Sequence, residues 1–286
     1  MKKLGLITLD IDGTLTGADH EIPEAVVDYL GYLSDQGWQI ALVTGRTYSF
    51  ARNITDKLRF DHYLGLQNGA DILTPDRKHA MKNHMEKEHL LQLLDEAHEK
   101  VDVLVYAGYE YGDFCYYQPE SLSPTVVKYL PRLQKFSSRP WVPVSSFTEI
   151  QEKSASLVKV IGKYSHLQPL AELLQVRDHF HGSIIKDPMK SDADLCLITH
   201  ANATKGTAAM NLRELTGITG PHIAAGDDRN DIPMLSIADK AIVMSTAPES
   251  MHPLADVVAK PSSECGIIDA LSDVIHTLEL EKGARS

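Results

Sequence analysis

The sequence contains no uninterrupted run of 18 or more apolar residues, so no segment reads as a membrane-spanning helix. Its first residues, Met1-Lys2-Lys3, lead directly into a short apolar stretch rather than into the longer apolar block of a secretory signal. Cysteine is scarce: Cys115, Cys196 and Cys265 are odd in number and far apart, with no Cys-x-x-Cys and no histidine at ligand spacing beside them. A disulfide framework and a zinc site are set aside, and three buried thiols are expected. Positive charge is also in deficit. With 28 basic against 39 acidic residues the formal charge is -11, a field that repels nucleic acid and anionic membranes at long range. Any anionic substrate therefore needs a local cationic pocket. No Gly-x-Gly-x-x-Gly follows the first strand-like stretch, which removes a dinucleotide-binding oxidoreductase. Repeats, low-complexity tracts and long linkers are missing as well. What remains is a soluble, cytoplasmic chain of ordinary globular composition, 43% apolar and 23% charged. At 286 residues it is long enough for two domains, or for one domain with a large insertion.

Residues 4–9 read as a short strand buried on both faces. A helix follows: Pro23 suits its first turn, Ile22, Val26, Tyr29, Leu30 and Leu33 share one stripe, and Gly37 sits where a left-handed cap belongs. Residues 39–43 make a second buried strand that stops at Thr44-Gly45-Arg46. Strand, helix and strand form a unit with a right-handed crossover, which implies an α/β fold. The same pattern returns late, with a helix over 206–215 and strands at 222–225, 241–244 and 257–258. Between them, strands at 101–107, 113–117, 157–162 and near Ile184 and Leu195 alternate with helices reaching Lys100, over 124–136 and to about His179. The expected architecture is a doubly wound, mostly parallel sheet split between residues 1–82 and 199–286, with an α+β domain inserted over 83–198.

Doubly wound sheets bind ligands outside the carboxyl ends of their strands. Four such places carry reactive groups: Asp10-Ile11-Asp12-Gly13-Thr14, Thr44-Gly45-Arg46, Lys205-Gly206 and Gly226-Asp227-Asp228-Arg229-Asn230-Asp231. Taken alone, Asp-x-Asp-Gly-Thr also reads as a strand followed by a polar turn, Thr-Gly-Arg reads mainly as a turn and Lys-Gly mainly as surface charge. In this order, each at an element end, they converge carboxylates and cations on one sheet edge. Asp10 and Asp12, two apart on leaving a strand, can share a site while pointing differently, and Gly13 lets the chain turn sharply. Asp10 and Asp227 suit Mg²⁺, which is usually held by one or two carboxylates with water and substrate phosphate.

These motifs resemble the haloacid dehalogenase superfamily of phosphotransferases, whose first motif is Asp-x-Asp-Gly-Thr. The insertion is similar to the large α/β cap of the Cof-type sugar-phosphate phosphatases. The resemblance covers nearly the whole chain: Asn68-Gly69-Ala70 matches the end of the first core segment, and Gly226 to Leu235 matches Gly-Asp-x-x-Asn-Asp-x-x-Met-Leu. Ala255-Asp256 and Gly266-Ile267 also fit. One departure stands out, Met244-Ser245-Thr246-Ala247 in place of Met-Gly-Asn-Ala. The resemblance implies a Mg²⁺-dependent phosphatase acting on a small phosphorylated metabolite, expected to be a sugar phosphate. It makes Asp10 the nucleophile that forms an aspartyl phosphate, and Asp12 the acid and base, with the Asp12 backbone carbonyl on the metal. Asp10, Asp12 and Asp227 then serve Mg²⁺, and Asp231 supports the metal shell or Lys205. Lys205, Thr44 and the Gly45 amide are implied to hold the phosphoryl oxygens. Arg46 either contacts substrate or pairs with a carboxylate, and the role of Asn230 is open in the same way. No nucleic-acid or membrane partner is implied, and a monomer or a homodimer is compatible.

Two rival functions share these motifs. A phosphomutase of the same superfamily would return the phosphate to the sugar, but the Gly-Trp-Asp-Lys that looks typical of phosphomannomutases is missing around Lys205. A non-catalytic phosphate-binding regulator is disfavoured by the retention of Asp10, Asp12, Lys205, Asp227 and Asp231 together. His84 and His89 are spaced i and i+5, unlike a zinc protease pair, and are expected on a solvated helix. The cluster Tyr106, Tyr109, Tyr111, Phe114, Tyr116 and Tyr117 is expected to pack across two strands, with substrate stacking as the alternative.

Overall fold

The computed structural model of the chain describes residues 3–95, 101–135, 137–186 and 193–284. Strand β1 (Gly5–Leu9) is buried at all five positions, as a strand covered by helices on both faces must be. Helix α1 (Glu24–Asp35) begins after Pro23 and buries Val26, Val27, Leu30 and Leu33. Gly37 beyond its end has φ 100°, a left-handed conformation open to glycine at little cost. The chain returns through β2 (Trp38–Val43), α2 (Tyr48–Thr55), β3 (His62–Leu66), β4 (Asp71–Leu73) and β5 (His79–Lys82).

The next segment holds β6 (Met85–Glu86), α3 (Lys87–Asp95), β7 (Asp102–Tyr106), β8 (Cys115–Tyr117), α4 (Pro124–Gln134) and β9 (Val142–Pro143). It continues with β10 (Ser154–Ala155), β11 (Leu157–Gly162), α5 (Tyr164–Gln175), β12 (Phe180–Lys186) and β13 (Asp194–His200). The expected extensions of two helices, to Lys100 and to Phe136, lie outside the described residues. The last part is α6 (Lys205–Thr216), β14 (His222–Gly226), α7 (Ile232–Leu235), β15 (Lys240–Met244), β16 (Val257–Ala259) and α8 (Gly266–Gly283).

Two large sheets result. The first has the order β16-β15-β14-β1-β2-β3-β4-β5, parallel through β3 and antiparallel beyond. The second, β12-β13-β11-β7-β8-β9, draws every strand from residues 102–200 and is antiparallel except between β8 and β9. Its β13 runs to His200, two residues past the expected boundary at 198. Side chains alternate across this second sheet. Val105, Val158, Val160 and Cys196 join one apolar cluster with α3 and α5, while Leu104, Ile161, Leu195 and Leu197 join another with Trp141 and α4. In the first sheet β1 lies centrally, between β14 and β2, so the ends of these three strands meet at one place. Among the described residues, no helix is long and apolar enough to cross a membrane.

Candidate active site

Asp10 is the first residue past β1, and its amide donates to Ala225 O of β14 at 3.0 Å. That bond ties the exits of the two strands together. The turn that follows has Gly13 at φ +80°, where a Cβ would fall 2.0 Å from Asp227 Oδ2. Only glycine lets the first loop approach the Asp227 carboxylate so closely. Thr14 Oγ1 donates to the other Asp227 oxygen at 3.4 Å.

Lys205 opens α6, whose first turn is capped by Thr204 and Thr207. Its side chain is 1% exposed, and Nζ donates to Asp10 Oδ1 and Asp231 Oδ1, each at 2.6 Å. Asp231 Oδ2 accepts from the amides of Asp227 (3.1 Å) and Asp228 (3.0 Å). Asp231 therefore orients Lys205 with one oxygen and braces the Asp227 loop with the other.

Asp10, Asp227 and Asp231 each offer an oxygen, all within 4.8 Å of one another. Burial, together with the Asp231 and Asp12 charges, pushes the Asp10 carboxyl up in spite of Lys205. Burial, then Asp10 and Asp231, pushes Asp227 up further. Burial works against the Lys205 charge, but Asp10 and Asp231 outweigh it and raise the ammonium above its ordinary value. One ammonium among two buried carboxylates and a half-buried one leaves excess negative charge, and a cluster that draws in protons draws in cations for the same reason. An all-oxygen donor set is the one a hard divalent ion such as Mg²⁺ takes.

Asp12 faces other partners. Arg46 grips it as a fork, Nε to Oδ2 at 2.7 Å and NH2 to Oδ1 at 2.6 Å, and His20 Nδ1 lies 3.3 Å from Oδ1. Burial tends to raise the Asp12 carboxyl, but hydrogen bonds from Arg46 and His20 outweigh it and hold the group well below the usual carboxylate range. Arg46 NH1 reaches Phe50 O and Asn53 Oδ1, and its guanidinium lies 4.2 Å from the centre of the Phe50 ring. Arg46 thus pairs with a carboxylate, one of its two expected roles. The Asp12 carboxylate is not one of the three that converge around Lys205.

Thr44 Oγ1 accepts from the Arg46 amide at 3.2 Å, and the Asn68 amide donates to Thr44 O at 2.8 Å. Asn68 has φ 59°, and its Oδ1 accepts from Asn230 Nδ2 at 3.2 Å. Thr44, Gly45, Arg46 and Asn230 border one cavity of about 530 Å³ together with Asp10, Asp12, Lys205 and Asp227. Thr246, from the departing Ser245-Thr246 loop, borders it too. The opposite side comes from the inserted sheet, including Leu104, Tyr106, Ile161 and Leu197.

Three bordering residues carry no motif signal. His20 and Phe50 surround the Asp12–Arg46 pair. Asp113, from the insertion, accepts from Ser49 N at 2.8 Å and Ser49 Oγ at 3.2 Å, clasping the start of α2. Burial pushes its carboxyl up to about 6, the Ser49 amide offsetting part of the rise. His84 corrects an expectation. It precedes α3 rather than riding on a solvated helix, and it is buried with Nε2 3.0 Å from Asp71 Oδ1. His89 does lie on α3, stacked 3.9 Å from His179. Cys115 and Cys196 are buried thiols as expected, whereas Cys265 is half-buried.

The family model for haloacid dehalogenase-like hydrolases matches residues 7–271. Phosphatase YwpJ of Bacillus subtilis is 24% identical over 292 residues, covering 94% of this chain and 99% of that one. The solved structure of SMU.1108c from Streptococcus mutans shares the fold with a TM-score of 0.80 at 18% identity, over 95% of this chain and 98% of that one. That of BT4131, described as a subclass IIB sugar phosphatase, gives 0.73 at 20% identity, over 94% and 98%. With the carboxylates, the buried lysine and the match spanning both sheets, the chain belongs to the haloacid dehalogenase-like hydrolases.

Proposed function

We propose that this chain is a Mg²⁺-dependent phosphatase that hydrolyses a small phosphorylated metabolite through an aspartyl phosphate on Asp10. The observation that carries this is the convergence of Asp10, Asp227 and Asp231 around the Lys205 ammonium at one side of a half-open cavity. Asp10, Asp227 and the Asp12 backbone carbonyl would hold the ion, with Asp231 behind them. When bound, it offsets carboxylate charge and polarises the phosphoryl group.

The chain's own residues divide the remaining work. Lys205 fixes Asp10 through Oδ1, so that the carboxylate meets phosphorus in line. As the bond from Asp10 to phosphorus forms, the bond to the leaving alcohol breaks, and Asp12 supplies that oxygen with a proton. Water then attacks phosphorus and gives its proton to Asp12, while the Asp10–phosphorus bond breaks and inorganic phosphate leaves. The Arg46 fork keeps Asp12 ionised at rest, which suits the second step. For the first, Asp12 must gain a proton, and loosening from Arg46 raises its affinity for one. Thr44, the Gly45 amide and Lys205 hold the phosphoryl oxygens and supply the local cationic pocket that the net charge lacks.

Residues 83–198 act as a cap over the split core of 1–82 and 199–286. The cap shields the leaving group from water and limits entry to small molecules. The test is phosphate release from a panel of phosphorylated metabolites, with Mg²⁺ and with EDTA. Release that needs Mg²⁺ is expected. Uniform silence in both conditions would return the chain to the phosphate-binding regulator.

A further inference from the structure

The cavity wall opposite the carboxylates is one face of an antiparallel sheet. Across β13, β11 and β7, Leu197 stands opposite Lys159 and Lys159 opposite Leu104, and in the next row Leu195 stands opposite Ile161. Cross-strand partners share a face, and all five border the cavity. Ile185 adds another aliphatic side chain from β12, and Tyr106 and Trp141 meet edge to face at 5.7 Å and 82°.

Polar capacity on this wall is small. Apart from the Tyr106 hydroxyl and the Trp141 indole, the polar side chains that the described cap residues bring to it are Asp113, Ser137 and Lys159. Ser137 Oγ already donates to Asp113 O at 3.0 Å, and Asp113 Oδ2 is taken by Ser49, which leaves Asp113 Oδ1 and the Trp141 indole nitrogen as buried polar atoms without a hydrogen-bond partner among the described residues, enough for one or two polar substituents. The Lys159 ammonium lies 5.0 Å from the centre of the Tyr106 ring, held over an aromatic face. A sugar carries a hydroxyl on nearly every carbon. Each one moved from water onto an aliphatic wall without a partner weakens binding. A flat apolar ring has no such loss, and it gains from every aliphatic and aromatic contact.

Resting on the phosphatase reading above, we propose that the substrate is a phosphate monoester whose alcohol carries a flat, predominantly apolar ring. The ring lies against Leu104, Ile161 and Leu197, with the Tyr106–Trp141 pair beside it, and the phosphate reaches Asp10. This departs from the sugar-phosphate expectation in the leaving group and keeps the chemistry.

Benzyl phosphate and glucose 6-phosphate test it directly, because both are monoesters of primary alcohols and differ chiefly in what surrounds the reacting carbon. With the full-length enzyme and Mg²⁺, kcat/KM for benzyl phosphate should exceed that for glucose 6-phosphate by about 10-fold or more, the scale on which apolar pockets discriminate. Equal values, or preference for the sugar, would overturn the ring proposal and leave the phosphatase standing. If neither ester is hydrolysed, calorimetric titration of the same protein with both separates the cases. Tighter binding of benzyl phosphate keeps the ring site and removes the phosphatase, while equal binding removes the ring site too. Ile185→Gln, at a half-buried position, should cut the benzyl-to-glucose ratio several-fold. An unchanged ratio in the folded variant would contradict the seating of the ring on this wall.

Discussion

The two walls of the cavity obey different structural rules. On the core side Asp10, Asp227 and Lys205 stand where regular elements begin or end, and Lys205 meets Asp10 across 195 positions of sequence. On the cap side Leu104, Ile161 and Leu197 lie within strands, placed by period-two alternation. Element ends free the backbone to turn sharply and present charge, at the cost of a glycine such as Gly13 wherever carboxylate and backbone nearly touch. Strand interiors offer a regular face suited to bulk and shape. Chemistry and selection can therefore change independently: a substitution on the core wall should alter rate constants, and one on the cap wall should alter preference among substrates.

The largest break expected on the core side is Asp10→Asn. An amide is a poor nucleophile, and kcat should fall by roughly 10⁴-fold or more, the scale of nucleophile deletions. Circular dichroism should stay unchanged. Substantial residual hydrolysis would mean that water attacks phosphorus directly.

Asp12→Asn should slow both chemical steps by about 10² to 10⁴-fold, the usual contribution of proton transfer. Steady-state kinetics with leaving groups of graded basicity would sharpen this, because the deficit should grow with the basicity of the alcohol. A flat response would take the acid role from Asp12.

Lys205→Met breaks activity and stability together. Removing a charged donor at a reacting centre typically costs about 10² to 10³-fold in kcat. Breaking a buried ion pair costs about 3–5 kcal/mol, here by leaving Asp10 and Asp231 without their ammonium. Urea unfolding in EDTA should record that loss; a variant as stable as wild type would show that the cluster has relaxed around the gap.

The smallest effects should come where the walls are joined, and their signs should oppose. Asp113, raised to about 6 by burial, holds a proton more tightly when folded, so its contribution to stability falls as pH rises from about 4 through that value. Asp113→Asn should therefore gain on wild type across that window. For Asp71, burial is outweighed by hydrogen bonds from His79, His84 and the Tyr109 amide, and its carboxyl is depressed. Its contribution is complete above about 4 and is lost as pH falls through the lower folded value. Asp71→Asn should cost about 1–3 kcal/mol at neutral pH, with a deficit that shrinks in acid. Denaturant midpoints across pH would check both slopes, and slopes of one sign would contradict the assignment.

The same contrast decides what the sequence makes legible. Asp10, Asp12, Lys205 and Asp227 are visible in it because each adjoins a recognisable element and belongs to a short motif. The strands β7, β11 and β13 follow from their apolar residues, but which of their side chains face the carboxylates depends on pairing between distant segments. The pairing of Arg46 with Asp12 joins residues 34 positions apart, and nothing local announces it. His20 and Asp113 lie in loops and Phe50 on the short helix α2, and nothing local marks any of them as part of the site. His84 looks like part of a polar helix, yet its partner Asp71 sits on β4, a strand too short for its pattern to announce. For Tyr106 the sequence leaves packing and substrate contact open; it packs on Trp141 and also borders the cavity.

The central claim is that phosphate passes through a covalent bond to Asp10. Acid quenching of the wild-type enzyme within one turnover of a ³²P-labelled ester, followed by peptide mapping, tests it most directly. Label on the peptide containing Asp10, absent in Asp10→Asn and chased away by unlabelled substrate, is the expected result; release of labelled phosphate from an enzyme that never carries label on that peptide would contradict it.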